Sequence, residues 1–272
     1  MSFEQLGLSD GILAVVADAG YNEPTPIQRQ AIPSILMGRD ILSIAQTGTG
    51  KTAAFALPML AKIKSGSNTP QALVLTPTRE LAIQVTEALQ SYARHMKNFH
   101  VLPLYGGQDM RGQLRQLTRG VQVVVGTPGR LLDHLRRKSL DLSDLKMLIL
   151  DEADEMLRMG FIDDVETILA HTSGTQQTAL FSATLPGPIR KVANRFLKDP
   201  EHIHIKGQAV TVDTIEQRYW MVNQRQKLDA LTRLLEFAEI DAAIIFVRTR
   251  ETTTELAEKI SARGSSCSAI NG

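Results

Sequence analysis

Residues 45–52 read Ala45-Gln46-Thr47-Gly48-Thr49-Gly50-Lys51-Thr52, with a short apolar run before them and an alanine-rich helical pattern after them. A strand, a glycine loop and a Gly-Lys-Thr sequence that opens a helix form the P-loop arrangement, although Ala45 stands where the general pattern has glycine. Gly48 and Gly50 allow consecutive backbone N–H groups to point at phosphate oxygens. Lys51 can reach the β- and γ-phosphates, and the Thr52 hydroxyl can hold Mg²⁺. An ordinary glycine turn before a lysine is the alternative, and we favour nucleoside triphosphate binding.

Composition limits the class of protein. The chain has 272 residues, a net charge of +1, 43% hydrophobic residues and one cysteine, Cys267. A single cysteine cannot form an internal disulfide, and the apolar runs are too short to span a bilayer. The N-terminus has no leader pattern, so we expect a cytoplasmic protein without a membrane partner. The near-neutral charge excludes a generic basic coat for nucleic acid, so such a contact requires a local patch.

The fold class follows from a series of short apolar runs, each ending in a polar loop and separated from the next by a helical pattern. These predicted strands lie at 40–44, 72–76, 101–105, 122–126, 147–150 and 178–181. Buried strands alternating with helices predict an α/β fold with a parallel sheet and helices on both faces. In such sheets ligands bind at the carboxyl ends of the strands, which is where the polar residues fall.

A second, shorter region follows a polar segment at 206–213. Strands are predicted at 215–222, 242–247 and 268–270, and helices at about 225–238 and 252–263. This pattern contains only the opening strands of another α/β unit, and it resembles a domain that is cut short.

An acidic pair follows the predicted strand at 147–150. Asp151 comes directly after the strand, where an aspartate can hold the Mg²⁺ that bridges the phosphates. Glu152 is then placed to orient or deprotonate an attacking water. Acids at a helix N-terminus are also common for purely structural reasons. The P-loop on the same chain favours the catalytic interpretation.

Two further groups of residues are candidates for ligand binding. Tyr21 and Gln28 lie in a proline-stiffened segment and could stack on adenine and read its edge, although a plain connector is the better interpretation of this segment alone. Basic residues that could contact a phosphate backbone lie in one stretch of the chain. They are Arg79, Arg111, Arg115, Arg119, Arg130, Arg136, Arg137 and Lys138. We favour phosphate contact for Arg79 and Arg130, and a solvated surface for 136–138.

Together these motifs resemble those of the DEAD-box RNA helicases, and most of all the bacterial cold-shock subgroup. Asp151-Glu152-Ala153-Asp154 is the naming motif, and 21–28 resembles the Q motif, with Phe3 as its upstream aromatic residue. The P-loop is similar to motif I, which usually begins with alanine in this family. The other matching segments are Pro77 to Ala82, Gly106-Gly107, Thr127 to Arg130, Ser182-Ala183-Thr184 and Ile244 to Thr249.

The resemblance implies two RecA-like domains that close on ATP and Mg²⁺ and bend single-stranded RNA. The implied bounds are 1–206 with a Q motif at 1–29, a linker at 207–214, and a partial second domain at 215–272. It implies that Tyr21 and Gln28 bind adenine, and that Ser182 and Thr184 couple hydrolysis to strand separation. The implied RNA contacts are Pro77, Thr78, Arg79, Gly106, Gly107, Thr127, Pro128, Gly129 and Arg130. Ribosome assembly, RNA turnover in a decay complex and stress response are the implied roles.

The later motifs of the family, of the Ala-Arg-Gly-Leu-Asp and His-Arg-Ile-Gly-Arg types, do not occur in the sequence. They supply arginine fingers, each worth roughly 10³–10⁵ in rate in related sites. We therefore expect a fragment of a longer helicase that binds nucleotide but hydrolyses ATP slowly and does not unwind RNA alone. A nucleotide-gated RNA clamp without catalysis and a DNA-directed P-loop ATPase remain as alternatives.

Overall fold

The computed structural model describes residues 2–205, 216, 218–238 and 240–271. The chain divides into two compact units, Met1–Val210 and Thr211–Gly272. The predicted linker at 207–214 lies outside the described residues. Within those residues, no helix is both long and apolar enough to cross a membrane.

The first unit is built on a parallel sheet of seven strands in the order β3-β4-β2-β5-β6-β1-β7. The strands are β1 (Ile41–Ile44), β2 (Ala72–Leu75), β3 (Val101–Leu104), β4 (Val123–Gly126), β5 (Met147–Leu150), β6 (Gln177–Ser182) and β7 (Glu201–His204). The central strands are buried along their whole length, because helices cover both faces of a parallel sheet. The predicted α/β class with a parallel sheet is confirmed.

Helices connect the strands and cover the two faces. They are α1 (Asp10–Asp18), α2 (Pro26–Leu36), α3 (Lys51–Lys62), α4 (Arg79–Tyr92), α5 (Met110–Arg119), α6 (Pro128–Arg136), α7 (Ala153–Arg158), α8 (Ile162–Ala170) and α9 (Gly187–Phe196). Alternate residues of each strand enter opposite cores, as the strand period of two requires. Val74 packs into the core that α1 to α4 cover, whereas Leu73 and Leu75 pack into the core that α6 to α9 cover.

Residues 21–28 were predicted to form a loop, but the last of them belong to helix α2. It starts at Pro26, so Gln28 lies in its first turn rather than in an irregular segment. Proline is well tolerated there, because the first N–H groups of a helix have no partner inside the helix and the fixed φ angle suits the first position. The proline signal was therefore a helix start.

The described residues of the second unit form the α-helices α10 (Lys227–Phe237) and α11 (Arg250–Ser261), where helices were predicted. The predicted strands at 242–247 and 268–270 are wrong, because the described residues of this unit form no strand. The strand predicted at 215–222 lies partly outside the described residues, and its described part is not a strand. Ile244 and Phe246 are 84% and 91% exposed, so their apolar pattern has no sheet to join.

Candidate nucleotide and RNA site

The P-loop lies between the end of β1 at Ile44 and the start of α3 at Lys51. Gly48 and Gly50 have φ angles of +83° and +92°, a region that side chains with a Cβ rarely adopt. At Gly50 a Cβ would also lie 2.6 Å from Nε2 of Gln28, so the Gln28 side chain would have to move to admit any other residue. The loop thus has the strand–turn–helix form that phosphate binding requires.

Two charged side chains at this edge of the sheet are buried without a hydrogen-bond partner. They are Lys51, through its Nζ, and Asp151, through its Oδ1. Burial raises the pKa of Asp151 to about 6; the positive charge of Lys51 opposes this rise and the negative charge of Glu152 adds to it. Buried polar groups are normally paired, so two orphaned atoms of opposite charge at one edge of the sheet fit a site for a charged ligand. A carboxylate oxygen and the hydroxyl of Thr52 are donors that suit Mg²⁺.

The P-loop also contacts the acidic pair directly. The Thr47 hydroxyl donates to Oε1 of Glu152 across 3.2 Å. Glu152 has a left-handed backbone, with φ and ψ both at 52°. A non-glycine residue in this conformation costs about 1–2 kcal/mol, and such strain clusters at functional sites. The strained backbone and the threonine together fix the Glu152 carboxylate at the P-loop.

The remaining P-loop residues stabilise the loop itself. Ala45 donates its N–H to the carbonyl oxygen of Ser182 at 2.9 Å, which joins the loop to the end of β6. The Thr49 hydroxyl donates to the carbonyl oxygen of Gln46 at 2.7 Å. These contacts order the loop and leave its central N–H groups for a ligand.

The last aspartate of the acidic motif connects β5 to the end of β6. Oδ2 of Asp154 accepts from the Thr184 N–H at 3.0 Å and from the Thr184 hydroxyl at 2.8 Å, and Oδ1 accepts from the Ala183 N–H at 3.4 Å. The Asp154 N–H donates to the Ser182 hydroxyl at 3.2 Å. Burial opposes ionisation of Asp154, but these hydrogen bonds outweigh it and lower its pKa. The segment 182–184 thus contacts the acidic motif.

The two predicted adenine-binding residues have protein partners in this structure. The Gln28 amide accepts from the Thr25 N–H at 2.9 Å and donates to the Gly50 carbonyl at 3.2 Å, which ties the Q-motif segment to the P-loop. Tyr21 is exposed, and its hydroxyl lies 3.0 Å from that of Tyr92. Their adenine contacts stay a prediction.

The predicted RNA-contact segments lie at the carboxyl ends of β2, β3 and β4. Thr78 caps α4 by accepting from the Leu81 N–H, and Arg79 then projects over the Tyr105 ring at 5.9 Å. A Cβ at Gly107 would lie 3.7 Å from Nη1 of Arg79, so two of the predicted segments meet here. Pro77 and Gly106 flank this meeting point, and the exposed Arg79 is available to a phosphate.

Arg130 is placed differently from Arg79, because its side chain is turned inward and only 12% exposed. Its Nη1 donates to Oε1 of Gln113 at 2.7 Å and to the Gln108 carbonyl at 3.3 Å. Thr127 precedes α6, whose first residues are Pro128 and Gly129. The Arg130 guanidinium therefore supports the loop that follows β3.

Sequence reasoning missed Gln113 and His134, which form a buried polar cluster with Arg130. Nε2 of His134 lies 3.0 Å from Oε1 of Gln113, and its Nδ1 lies 2.9 Å from the Ser139 hydroxyl. A lone glutamine or histidine in a helical pattern carries no distinguishing signal, because only the tertiary fold brings these side chains together.

We expect the stability of the protein to fall on acidification because of His134. Burial lowers the pKa of His134, and the positive charge of Arg130 adds to this effect. The unfolded chain binds a proton near pH 6.5 while the folded chain resists it, so the free energy of unfolding falls as the pH drops below 6.5. Thermal unfolding from pH 7.5 to 5 should show a smaller loss for His134→Gln. The exposed His202→Gln variant is the control; parallel curves for wild type and His134→Gln would contradict the expectation.

Comparison with known proteins places these features in a family. A family model described as DEAD/DEAH box helicase matches residues 25–192. The chain is 54% identical over 271 residues to "ATP-dependent RNA helicase DeaD" of Escherichia coli (strain K12). That alignment covers 100% of this chain and 43% of that protein. The protein of the same name from Haemophilus influenzae is 51% identical over 272 residues, and the alignment covers 100% of this chain and 44% of that protein. The chain thus spans less than half the length of these curated relatives.

A solved structure agrees with the sequence relatives. A DEAD box protein from the hyperthermophile Methanococcus jannaschii matches with a TM-score of 0.73 and 41% identity, over 100% of this chain and 73% of that chain. The predicted RecA-like fold and the predicted family are confirmed. The chain belongs to the DEAD/DEAH box helicase family.

Proposed function

We propose that this chain is the ATP- and RNA-binding part of an ATP-dependent RNA helicase. The observation that carries the proposal is the pair of buried, unpartnered charged atoms, Lys51 Nζ and Asp151 Oδ1, at the carboxyl edge of the sheet beside a P-loop. Buried charges without partners are costly, so such a pair is maintained for a ligand that supplies the missing contacts. A triphosphate with its divalent cation supplies both.

Each residue of the site has a role in this proposal. Lys51 pairs with the β- and γ-phosphates, and the P-loop N–H groups bind the phosphate oxygens. Thr52 and Asp151 hold Mg²⁺, which when bound neutralises the charge on the phosphates. Glu152 orients a water and accepts its proton as the water oxygen bonds to the γ-phosphorus and the bond to the ADP oxygen breaks. Because Asp154 contacts Ser182 and Thr184, the position of 182–184 can respond to that chemistry.

RNA binds, in this proposal, at the ends of β2, β3 and β4. Backbone and arginine contacts from 77–79, 106–107 and 127–130 bind the phosphates without reading the bases. A cytoplasmic role under cold stress, in ribosome assembly or in an RNA-decay complex, is part of the same proposal. The support for this finer role is the resemblance to the bacterial cold-shock subgroup of the family.

Turnover of ATP by wild type and Glu152→Gln tests the proposed chemistry. The later arginine-bearing motifs do not occur in this sequence, so we expect slow hydrolysis that RNA stimulates and that Glu152→Gln lowers at least about tenfold. Equally slow turnover by both proteins, with ATP still changing RNA affinity, would favour a non-enzymatic clamp. Equal stimulation by a DNA of matched sequence would favour a DNA-directed ATPase. Robust duplex unwinding by this chain alone would contradict the expected need for further motifs.

A further inference from the structure

Helix α5 contains a buried amide where an apolar residue would be expected. Gln113 is 2% exposed, whereas the arginines of the same helix lie on its outer side. Burying an amide is unfavourable unless its donors and acceptors are paired. The contacts of the buried Gln113 side chain must therefore compensate for the cost of its burial.

The Gln113 amide connects two different segments. Its Nε2 donates to Oε1 of Gln108 at 3.1 Å and, more weakly, to the Tyr105 carbonyl at 3.5 Å. Its Oε1 accepts from Nη1 of Arg130 at 2.7 Å and lies 3.0 Å from Nε2 of His134. An amide has two N–H donors and two oxygen lone pairs, so Gln113 is fully paired.

The segments that Gln113 joins are two of the predicted RNA-contact segments. Residues 105–108 contain the glycine pair and follow β3, and Arg130 lies in α6 after β4. These strands are neighbours, with Leu104 opposite Gly126. The Gln108 side chain also donates to the Tyr105 hydroxyl, and Arg79 lies over that ring. One amide thus fixes the glycine loop relative to Arg130.

We propose that Gln113 is a positioning residue for RNA binding; this inference rests on the RNA-binding function proposed above. Gln113 holds Nη1 of Arg130, and in the described part of the chain Nη2 of Arg130 has no hydrogen-bond partner. In this proposal Nη2 is the guanidinium nitrogen left to bind a phosphate, while the loop at 105–108 offers its backbone. Gln113 itself need not touch RNA. Without the amide, the loop at 105–108 and Arg130 are no longer held in a fixed relative position, and the Arg130 side chain can turn away from the phosphate.

The test compares Gln113→Leu with Gln177→Leu, a matched variant at the amino-terminal end of β6, away from the carboxyl ends of the strands. Gln177 is also a buried amide, paired with Lys62 and with the carbonyls of Ile35 and Arg39. Both variants therefore lose a comparable buried network. We measure the affinity of the 272-residue chain for a labelled single-stranded oligouridylate at several salt concentrations, and its affinity for a fluorescent ADP analogue.

Gln113→Leu should weaken RNA binding about tenfold and leave ADP binding unchanged, whereas Gln177→Leu should change neither affinity. If Gln113 acts through the Arg130–phosphate contact, the negative slope of log K against log salt should become shallower by about 0.7 in Gln113→Leu. This is the value for one phosphate contact on a single strand. Arg130→Gln should give the same slope, and the double variant should lose no further affinity. Gln113→Glu keeps the acceptor for Arg130 and should bind RNA more tightly than Gln113→Leu.

RNA affinity of Gln113→Leu equal to that of Gln177→Leu, with wild type binding RNA, would overturn this inference alone. Absence of RNA binding by wild type would overturn the proposed RNA-binding function, and the inference with it. If Gln113→Leu does not fold, Arg130→Gln decides. Wild-type RNA affinity and an unchanged salt slope in Arg130→Gln would show that the amide does not act through the guanidinium, and would overturn the inference.

Discussion

Lys51→Ala should lower the affinity for Mg-ATP by about 10²–10³-fold while the protein stays folded. Truncating one partner of a desolvated charge pair costs about 2–5 kcal/mol, or roughly 30- to 5,000-fold in affinity, and the expected loss lies in the middle of that range. Lys51 Nζ is buried and makes no hydrogen bond within the protein, so few native contacts are lost with it. Titration of a fluorescent ATP analogue, with circular dichroism as the check on folding, measures both effects.

Lys62→Ala is the control for this prediction, because Lys62 lies at the other end of the same helix. Its Nζ donates to the Ile35 carbonyl and to Oε1 of Gln177, so its loss should lower stability without changing nucleotide affinity. Unchanged ATP affinity in Lys51→Ala would remove the basis for a triphosphate at this site. The proposed roles of Thr52 and Asp151 would then have no support.

The sheet and the P-loop could be predicted because each depends on local signals. Val123 to Gly126 is a short run rich in valine that ends just before a proline, and its length and β-branched residues indicate a buried strand. Gly48 and Gly50 occur where the backbone needs positive φ, so their spacing also carries information. The ends of β1 and β5 then place the loop and the acidic motif at the same edge, because the strands of a parallel sheet all end there and only β6 lies between these two.

Tertiary contacts explain what could not be predicted. The role of Arg130 depends on a glutamine 17 residues earlier, and no local pattern distinguishes an arginine that faces solvent from one that supports a loop. The helix start at Pro26 was missed because proline is typical of both loops and first helical turns. The strand expected at 242–247 failed because a strand requires another strand to pair with, and the described residues of the second unit form none.

The P-loop, the acidic motif and the segment at 182–184 are linked to one another by hydrogen bonds. Ala45 bonds to the end of β6, Thr47 bonds to Glu152, and Asp154 bonds to Thr184. A ligand that moves the P-loop therefore changes forces on both the acidic motif and the segment at 182–184. This arrangement is a physical basis for coupling between the P-loop and 182–184, and four of its hydrogen bonds meet at Asp154.

Asp154→Ala should lower the free energy of unfolding of the first unit by about 3 kcal/mol. The substitution removes the carboxylate that accepts from the Thr184 N–H, the Thr184 hydroxyl and the Ala183 N–H. A hydrogen bond to a charged group contributes about 1.5–3 kcal/mol, and because Thr184 is exposed, water replaces part of the lost contacts. Urea unfolding followed by circular dichroism measures the change. Glu155→Ala is the control, since Glu155 is a neighbour that forms only an exposed pair with Arg158, and it should lose less than about 1 kcal/mol.

The pH dependence of the same variant separates a charge effect from a packing effect. The pKa of Asp154 is lowered in the folded protein, so its contribution is present above pH 3.8 and is lost as the pH falls through the folded value. Wild type and Asp154→Ala should therefore converge in stability on acidification, and Asp154→Asn should lie between them at pH 7 because one acceptor oxygen remains. A stability difference that stays constant down to pH 3 would mean that the carboxylate charge does not hold 182–184. Coupling through this aspartate would then have to rest on shape alone.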